Sequence, residues 1–172
     1  GKLFTHVDLS VPGRHNMLNA LASCAVCIFI GLDPEKSAAG LKKFTGSSRR
    51  FQLTGHMANG ATVIDDYAHH PTEMTATLKT AREMDFDRII CVFQSHTYSR
   101  TKALLPQFVE ALKLCDKAIV ADIYAAREKN TFGISGKDIA DQLDGGEYYP
   151  SFEQIEARVR EIAQPNDLII TM

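Results

Sequence analysis

The sequence predicts an α/β fold, a doubly wound and mainly parallel sheet with flanking helices, preceded by a helical segment. Two observations on the strands and one on the loops predict it. Runs such as Ile89-Ile90-Cys91-Val92-Phe93 and Ala118-Ile119-Val120-Ala121 are apolar at every position, as strands covered on both faces must be. Segments with apolar residues at three- and four-residue spacing alternate with these runs, which is the βαβ pattern of a parallel sheet. Each apolar strand also runs directly into a loop rich in polar, functional groups.

The elements follow in order. Residues 1–12 read as a short strand or loop ending at Val11-Pro12-Gly13. From Arg14 to about Ile30 the spacing predicts a buried helix stopped by Gly31. Asp33-Pro34 opens a second helix reaching about Phe44, with Pro34 suited to its first turn. Thr45-Gly46-Ser47-Ser48 is short, polar and glycine-containing, and marks a linker between residues 1–44 and 45–172. Strands are expected over Phe51–Met57 and Ala61–Ile64, joined by the turn Ala58-Asn59-Gly60. A helix over Pro71–Met84 and a strand over Arg88–Phe93 come next. A helix over Leu104–Cys115 must keep Pro106 in its first turn or kink there. Lys117–Asp122 reads as a strand, Ser135–Leu143 and Ser151–Ala163 as helices, and Asp167–Met172 as a last strand.

Composition excludes several classes. The chain has 172 residues, 45% apolar and 23% charged, which excludes wholesale disorder. Its net charge of -2 announces no polyanion-binding surface, so no nucleic-acid partner is expected. The longest apolar run, Ala20 to Leu32, is broken by Ser23 and Gly31 and is too short to span a bilayer. Lys2, His6 and Asp8 interrupt any signal-peptide pattern, so neither membrane nor export is expected and the cytoplasm is the default compartment. Cys24 and Cys27 form a C-x-x-C on one face of the first helix, but no second pair completes a zinc site. Buried core thiols are the favoured reading.

Three polar clusters carry the chemistry. Asp65-Asp66-Tyr67-Ala68-His69-His70 follows Val63-Ile64, Gln94-Ser95-His96-Thr97-Tyr98-Ser99-Arg100 follows Val92-Phe93, and Asp122-Ile123-Tyr124-Ala125-Ala126-Arg127-Glu128 follows Val120-Ala121. In an open parallel sheet the carboxyl ends of the strands share one edge, where ligands bind, so the clusters should converge although roughly 30 residues separate each from the next. Taken alone, Asp65, Asp66, His69 and His70 suit metal ligation, acid–base work or a polar strand-to-helix turn. In the last case His70 or its neighbour caps the helix at Pro71, with Glu73 favourable in the first turn. His96 and Arg100 near a helix N-terminus suit a carboxylate or phosphate, and Arg49-Arg50 suits a phosphate. For both, a solvated surface is the alternative.

Pro12-Gly13-Arg14-His15-Asn16-Met17-Leu18-Asn19-Ala20-Leu21-Ala22 resembles the segment before the last domain of the Mur ligases, the ATP-dependent amino-acid ligases of peptidoglycan synthesis. Arg49-Arg50-Phe51, Asp65-Asp66-Tyr67-Ala68-His69-His70-Pro71-Thr72-Glu73, Phe93-Gln94-Ser95-His96-Thr97-Tyr98-Ser99-Arg100-Thr101 and Asp122-Ile123-Tyr124 are similar to the branch that joins L-alanine to UDP-N-acetylmuramate. A recycling branch that attaches a murein tripeptide to the same sugar nucleotide shares much of the pattern. A non-catalytic nucleotide-binding module is a third possibility.

The resemblance implies that residues 1–44 are the end of a central ATPase domain and residues 45–172 most of a C-terminal Rossmann-like domain. It implies ATP and Mg2+ as cofactors, with the phosphate-binding loop and the metal ligands outside these 172 residues, so activity of this stretch alone is not expected. By position, His15, Asn16 and Asn19 match the adenine site, Arg50 the ATP phosphates and Asp66 the ribose. Tyr67, His69, His96 and Arg100 match the amino-acid site, and Arg50, His69 and His96 are the catalytic candidates. No metal ligand is assigned. Two positions depart from the family: Ser95 stands where proline is usual and Thr97 where some members have arginine, which leaves Arg100 as the carboxylate anchor.

Overall fold

The computed structural model describes residues 3–172 and divides into two compact units, one ending at Ser48 and one running from Arg49 to Met172. The first unit holds α1 (Arg14–Phe29) and α2 (Pro34–Lys43). The Asp33 side chain accepts the Lys36 N–H at 2.9 Å and Pro34 takes the first position of α2, as the sequence implies. The expected loop or strand over residues 1–12 is loop over 3–12; residues 1 and 2 lie outside the described residues.

The expected burial of α1 is corrected. Ala20 is its one buried residue, while Met17, Leu18, Leu21, Val26 and Ile28 are exposed and Phe29 is 91% exposed. Cys24 and Cys27 are free and only half-buried. Two short helices and their loops are too little chain to enclose a core, so apolar spacing does not bring burial in this unit.

The second unit is a six-stranded sheet in the order β1-β2-β6-β3-β4-β5, comprising β1 (Gln52–His56), β2 (Thr62–Asp65), β3 (Arg88–Phe93), β4 (Lys117–Ala121), β5 (Glu147–Tyr149) and β6 (Asp167–Thr171). Only β1 runs antiparallel to its neighbour; all other pairings are parallel. The helices are α3 (Pro71–Arg82), α4 (Tyr98–Leu112), α5 (Lys137–Ala140) and α6 (Phe152–Ile162). Ile89, Cys91 and Phe93 pack with Met74 and Leu78 of α3, Phe108 and Leu112 of α4 and Ile139 of α5. Ile90, Ile119 and Ile169 pack with Ile155, Val159 and Ile162 of α6 on the opposite face. Alternate residues of each central strand thus meet different helices, which is why the strands are apolar without alternation.

Three boundaries differ from the sequence reading. α4 begins at Tyr98 rather than Leu104, so Pro106 lies inside the helix. Lys102 and Pro106 are both exposed, which leaves the carbonyl that proline cannot bond open to water. The expected helix over Ser135–Leu143 shrinks to the single turn of α5. β5 was not anticipated; Glu147-Tyr148-Tyr149 pairs with Ile119, Val120 and Ala121 at the edge of the sheet.

β5 is pinned by Glu147, whose carboxylate receives Nε and Nη2 of Arg158 at 2.7 and 2.8 Å and Nζ of Lys117 at 2.6 Å. The Arg158 bonds, with those of Lys117 and Tyr149 and against a burial penalty, lower its pKa from 4.5 to about 2. A depressed carboxylate contributes stability that is present above the unfolded pKa and is lost as the pH falls through the folded one. Glu147→Gln should therefore cost about 1–2 kcal/mol at neutral pH, discounted for partial exposure, with the difference from wild type closing between pH 4.5 and 2. Urea denaturation at several pH values measures it; an unchanged midpoint at pH 7 contradicts it.

Candidate active site

β2, β6, β3 and β4 are neighbours and parallel, so the loops leaving them emerge at one edge. Backbone bonds carry the pairing beyond the strands. Asp66 N–H donates to Thr171 O at 2.9 Å, Gln94 N–H to Met172 O at 2.8 Å, Tyr124 N–H to Ser95 O at 2.9 Å and Thr97 N–H to Tyr124 O at 2.9 Å. The three polar clusters share this edge, as expected of a parallel sheet.

The first group surrounds Arg50. Its neighbours Arg49 and Phe51 both have left-handed backbones, at φ 56° and 48°, a conformation that costs energy in residues other than glycine and persists only where surrounding bonds hold it. Those bonds come from the loop after β2. Tyr67 N–H donates to Arg49 O at 2.7 Å, and Phe51 N–H donates to Asp66 Oδ2 at 2.9 Å. Arg49 is further held by Asp65 at 2.8 Å and by the Tyr67 ring, 4.7 Å from its guanidinium carbon. Arg50 itself is exposed, with Glu73 Oε1 at 4.0 Å from its Nη1. Asp66 is only 5% exposed and also accepts from Ala68 N–H at 2.8 Å and the Thr77 hydroxyl at 3.2 Å. These bonds use three of a carboxylate's roughly four acceptor positions.

His69 lies beside this turn. Its Nδ1 faces the Tyr67 carbonyl at 3.0 Å, and a carbonyl only accepts, so Nδ1 is the donor in this bond and Nε2 is left outside it. His70 caps α3, accepting the Thr72 N–H at 3.3 Å, in agreement with the cap reading. Glu73 reaches back to the His69 N–H at 3.1 Å. Burial opposes its ionisation, but the His69 N–H and the charges of His69 and Arg50 hold its carboxyl below the ordinary value.

The second group is His96 and Tyr124, with Arg100 following in the first turn of α4. The His96 and Tyr124 rings lie 5.5 Å apart, joined by a parallel backbone bridge. His96 Nδ1 and one terminal nitrogen of Arg100 are buried without a hydrogen-bond partner. Desolvated polar atoms of this kind are costly, and a ligand carboxylate satisfies the Arg100 donor, and His96 Nδ1 in the tautomer that carries its proton there. Arg100 is in the first turn of α4, where the helix field also favours an anion. Ser95 is 1% exposed and its hydroxyl bonds to that of Thr101, so this residue is built into the loop.

His15, Asn16 and Asn19 lie on α1 in the first unit, His15 and Asn19 exposed; Asn16 Nδ2 donates to Pro12 O at 2.6 Å. Sequence reasoning placed Glu128 in the third polar cluster but gave it no role; it binds the start of α4 from 29 residues away, a contact with no local signal. Among the described residues no group of three or more His, Cys, Asp or Glu is placed to hold a metal ion. Among them, too, no helix is long and apolar enough to cross a membrane.

Residues 49–172 match the family model described as Mur ligase, glutamate ligase domain. A relative named UDP-N-acetylmuramate--L-alanine ligase, from Agathobacter rectalis, is 54% identical over 96% of this chain and 37% of its own length. The crystal structure of UDP-N-acetylmuramate-alanine ligase from Thermotoga maritima aligns with a TM-score of 0.79 at 30% identity, covering 96% of this chain and 35% of that one. A murein peptide ligase from Psychrobacter arcticus aligns with a TM-score of 0.67 at 26% identity, over 96% and 35% of the two chains. The chain spans a little over a third of the length of the curated relatives it matches.

Proposed function

The chain belongs to the Mur ligase family, and from that premise we propose that it is part of the ATP-dependent ligase that joins L-alanine to UDP-N-acetylmuramate. The observation that carries this reading is the pair of buried, unpartnered nitrogens on His96 and Arg100, at the strand ends of a chain with relatives named for that reaction. They suit the carboxylate of a small amino acid.

ATP supplies the activation, turning the lactyl carboxylate of the sugar nucleotide into an acyl phosphate whose carbonyl the alanine amine attacks with loss of phosphate. Arg50, held forward by its turn, neutralises negative charge on the phosphoryl group in transfer. Arg100 fixes the alanine carboxylate with its donor fork, and His96 adds a second contact. In its uncharged form His69 offers Nε2 to the proton that the amine must shed. Tyr67 walls the amino-acid side. On α1, Asn16 and Asn19 present amides suited to a purine edge, with His15 beside them. Asp66 keeps about one acceptor position for a ribose hydroxyl while holding the Arg50 turn.

The test is ADP release by the full-length enzyme with UDP-N-acetylmuramate. L-alanine should support turnover and the murein tripeptide little. The reverse preference assigns the recycling reaction instead, and no turnover with either leaves a nucleotide-binding module.

A further inference from the structure

α4 opens without a cap of its own. Thr97, its N-cap, has φ 70° and makes no side-chain cap bond, so the first N–H groups of the helix need partners from elsewhere. The partner is Glu128, on the loop after β4. Its Oε2 accepts the Ser99 N–H at 2.8 Å and its Oε1 accepts the Ser99 hydroxyl. Glu128 is itself placed by a tight turn, its N–H donating to Ala125 O at 3.0 Å around the left-handed Ala126 at φ 53°.

These bonds close a ladder that starts in the sheet. Gln94 Nε2 donates to Asp122 O at 3.0 Å, Tyr124 and Ser95 are paired through the backbone, as are Thr97 and Tyr124, and Ser99 and Glu128 form the last rung. Between the last two rungs and just beyond them lie Thr97 to Arg100. The rung therefore fixes the turn from which Arg100 projects, relative to the His96–Tyr124 bridge.

We propose that Glu128 is a positioning residue for the amino-acid site: by capping α4 from the neighbouring loop it fixes the first turn of the helix, which carries Arg100, relative to the loop that carries His96. The inference rests on the alanine reading above for its substrate, but not for its geometry. The Ser99 bonds also hold the Glu128 carboxyl below its ordinary value, so the latch stays charged near neutrality. A carboxylate on a helix N-terminus stabilises both loops at once.

The experiment uses Glu128→Ala and Glu128→Gln in the full-length enzyme, with amide hydrogen exchange over residues 97–103 and steady-state kinetics. Glu128→Ala should raise the alanine KM about tenfold or more, leave the ATP KM within about twofold, and speed exchange at Ser99. Glu128→Gln keeps an oxygen for the Ser99 N–H and should restore most of both. Unchanged exchange in the alanine variant overturns the latch. So does a lowered alanine KM, which would make Glu128 a competitor for the substrate position, or an equal loss for alanine and ATP. If wild type does not use L-alanine, the functional reading fails while the exchange result still decides the latch.

Discussion

Arg50→Ala in the full-length enzyme should lower kcat about 100- to 1,000-fold, the scale of removing one donor aimed at developing charge. The ground for so large an effect is that the turn ties down both neighbours of Arg50 and leaves its own side chain exposed. Arg49 is occupied by Asp65 and Tyr67, and Phe51 by Asp66, while Arg50 faces only Glu73 at 4.0 Å. Since Arg50 is exposed and makes no short bond, the same change should leave unfolding free energy within about 0.5 kcal/mol. Lysine should rescue partly, because a point charge keeps the attraction without the planar fork. Single-turnover phosphoryl transfer and denaturant unfolding on the same samples separate the two effects. A loss of stability that matches the loss of rate would make Arg50 a structural residue.

Arg100→Ala should raise the alanine KM by about 30- to 1,000-fold, corresponding to about 2–4 kcal/mol for one buried charged anchor. The ATP KM should change far less. Stability offers a second, opposite reading. One terminal nitrogen of Arg100 is buried with no partner, so removing it discards a desolvated donor and should not destabilise the fold. A structural arginine would behave the other way, losing stability and sparing alanine. Arg100→Lys should recover only part of the affinity, because an ammonium makes no bidentate contact.

Much of this arrangement was legible in the residues. The β3, β4 and β6 strands announce themselves as unbroken apolar runs, and a parallel sheet then obliges the loops after β2, β3 and β4 to share an edge. His70 as a cap with Glu73 behind it was visible in the order His-Pro-Thr-Glu. What escaped was set by tertiary contact. The start of α4 at Tyr98 is polar and carries no apolar period, and its cap comes from Glu128 on a different loop. β5 has three residues and depends on Lys117 and Arg158 holding Glu147. Asp66 looked like a ligand group, and only its bonds to Phe51, Ala68 and Thr77 reveal that it also holds the backbone around Arg50. For α1, apolar spacing promised burial that the unit ending at Ser48 does not supply.

In the proposed function, the loops at the carboxyl edge of this sheet hold the amino-acid substrate. The most direct measurement is a crystal structure of the full-length enzyme with UDP-N-acetylmuramate, a non-hydrolysable ATP analogue and L-alanine. The expected density places the alanine carboxylate within hydrogen-bond distance of Arg100 and His96, with the amine turned toward His69. Alanine bound away from this edge, with Arg100 still unpartnered, would contradict the account.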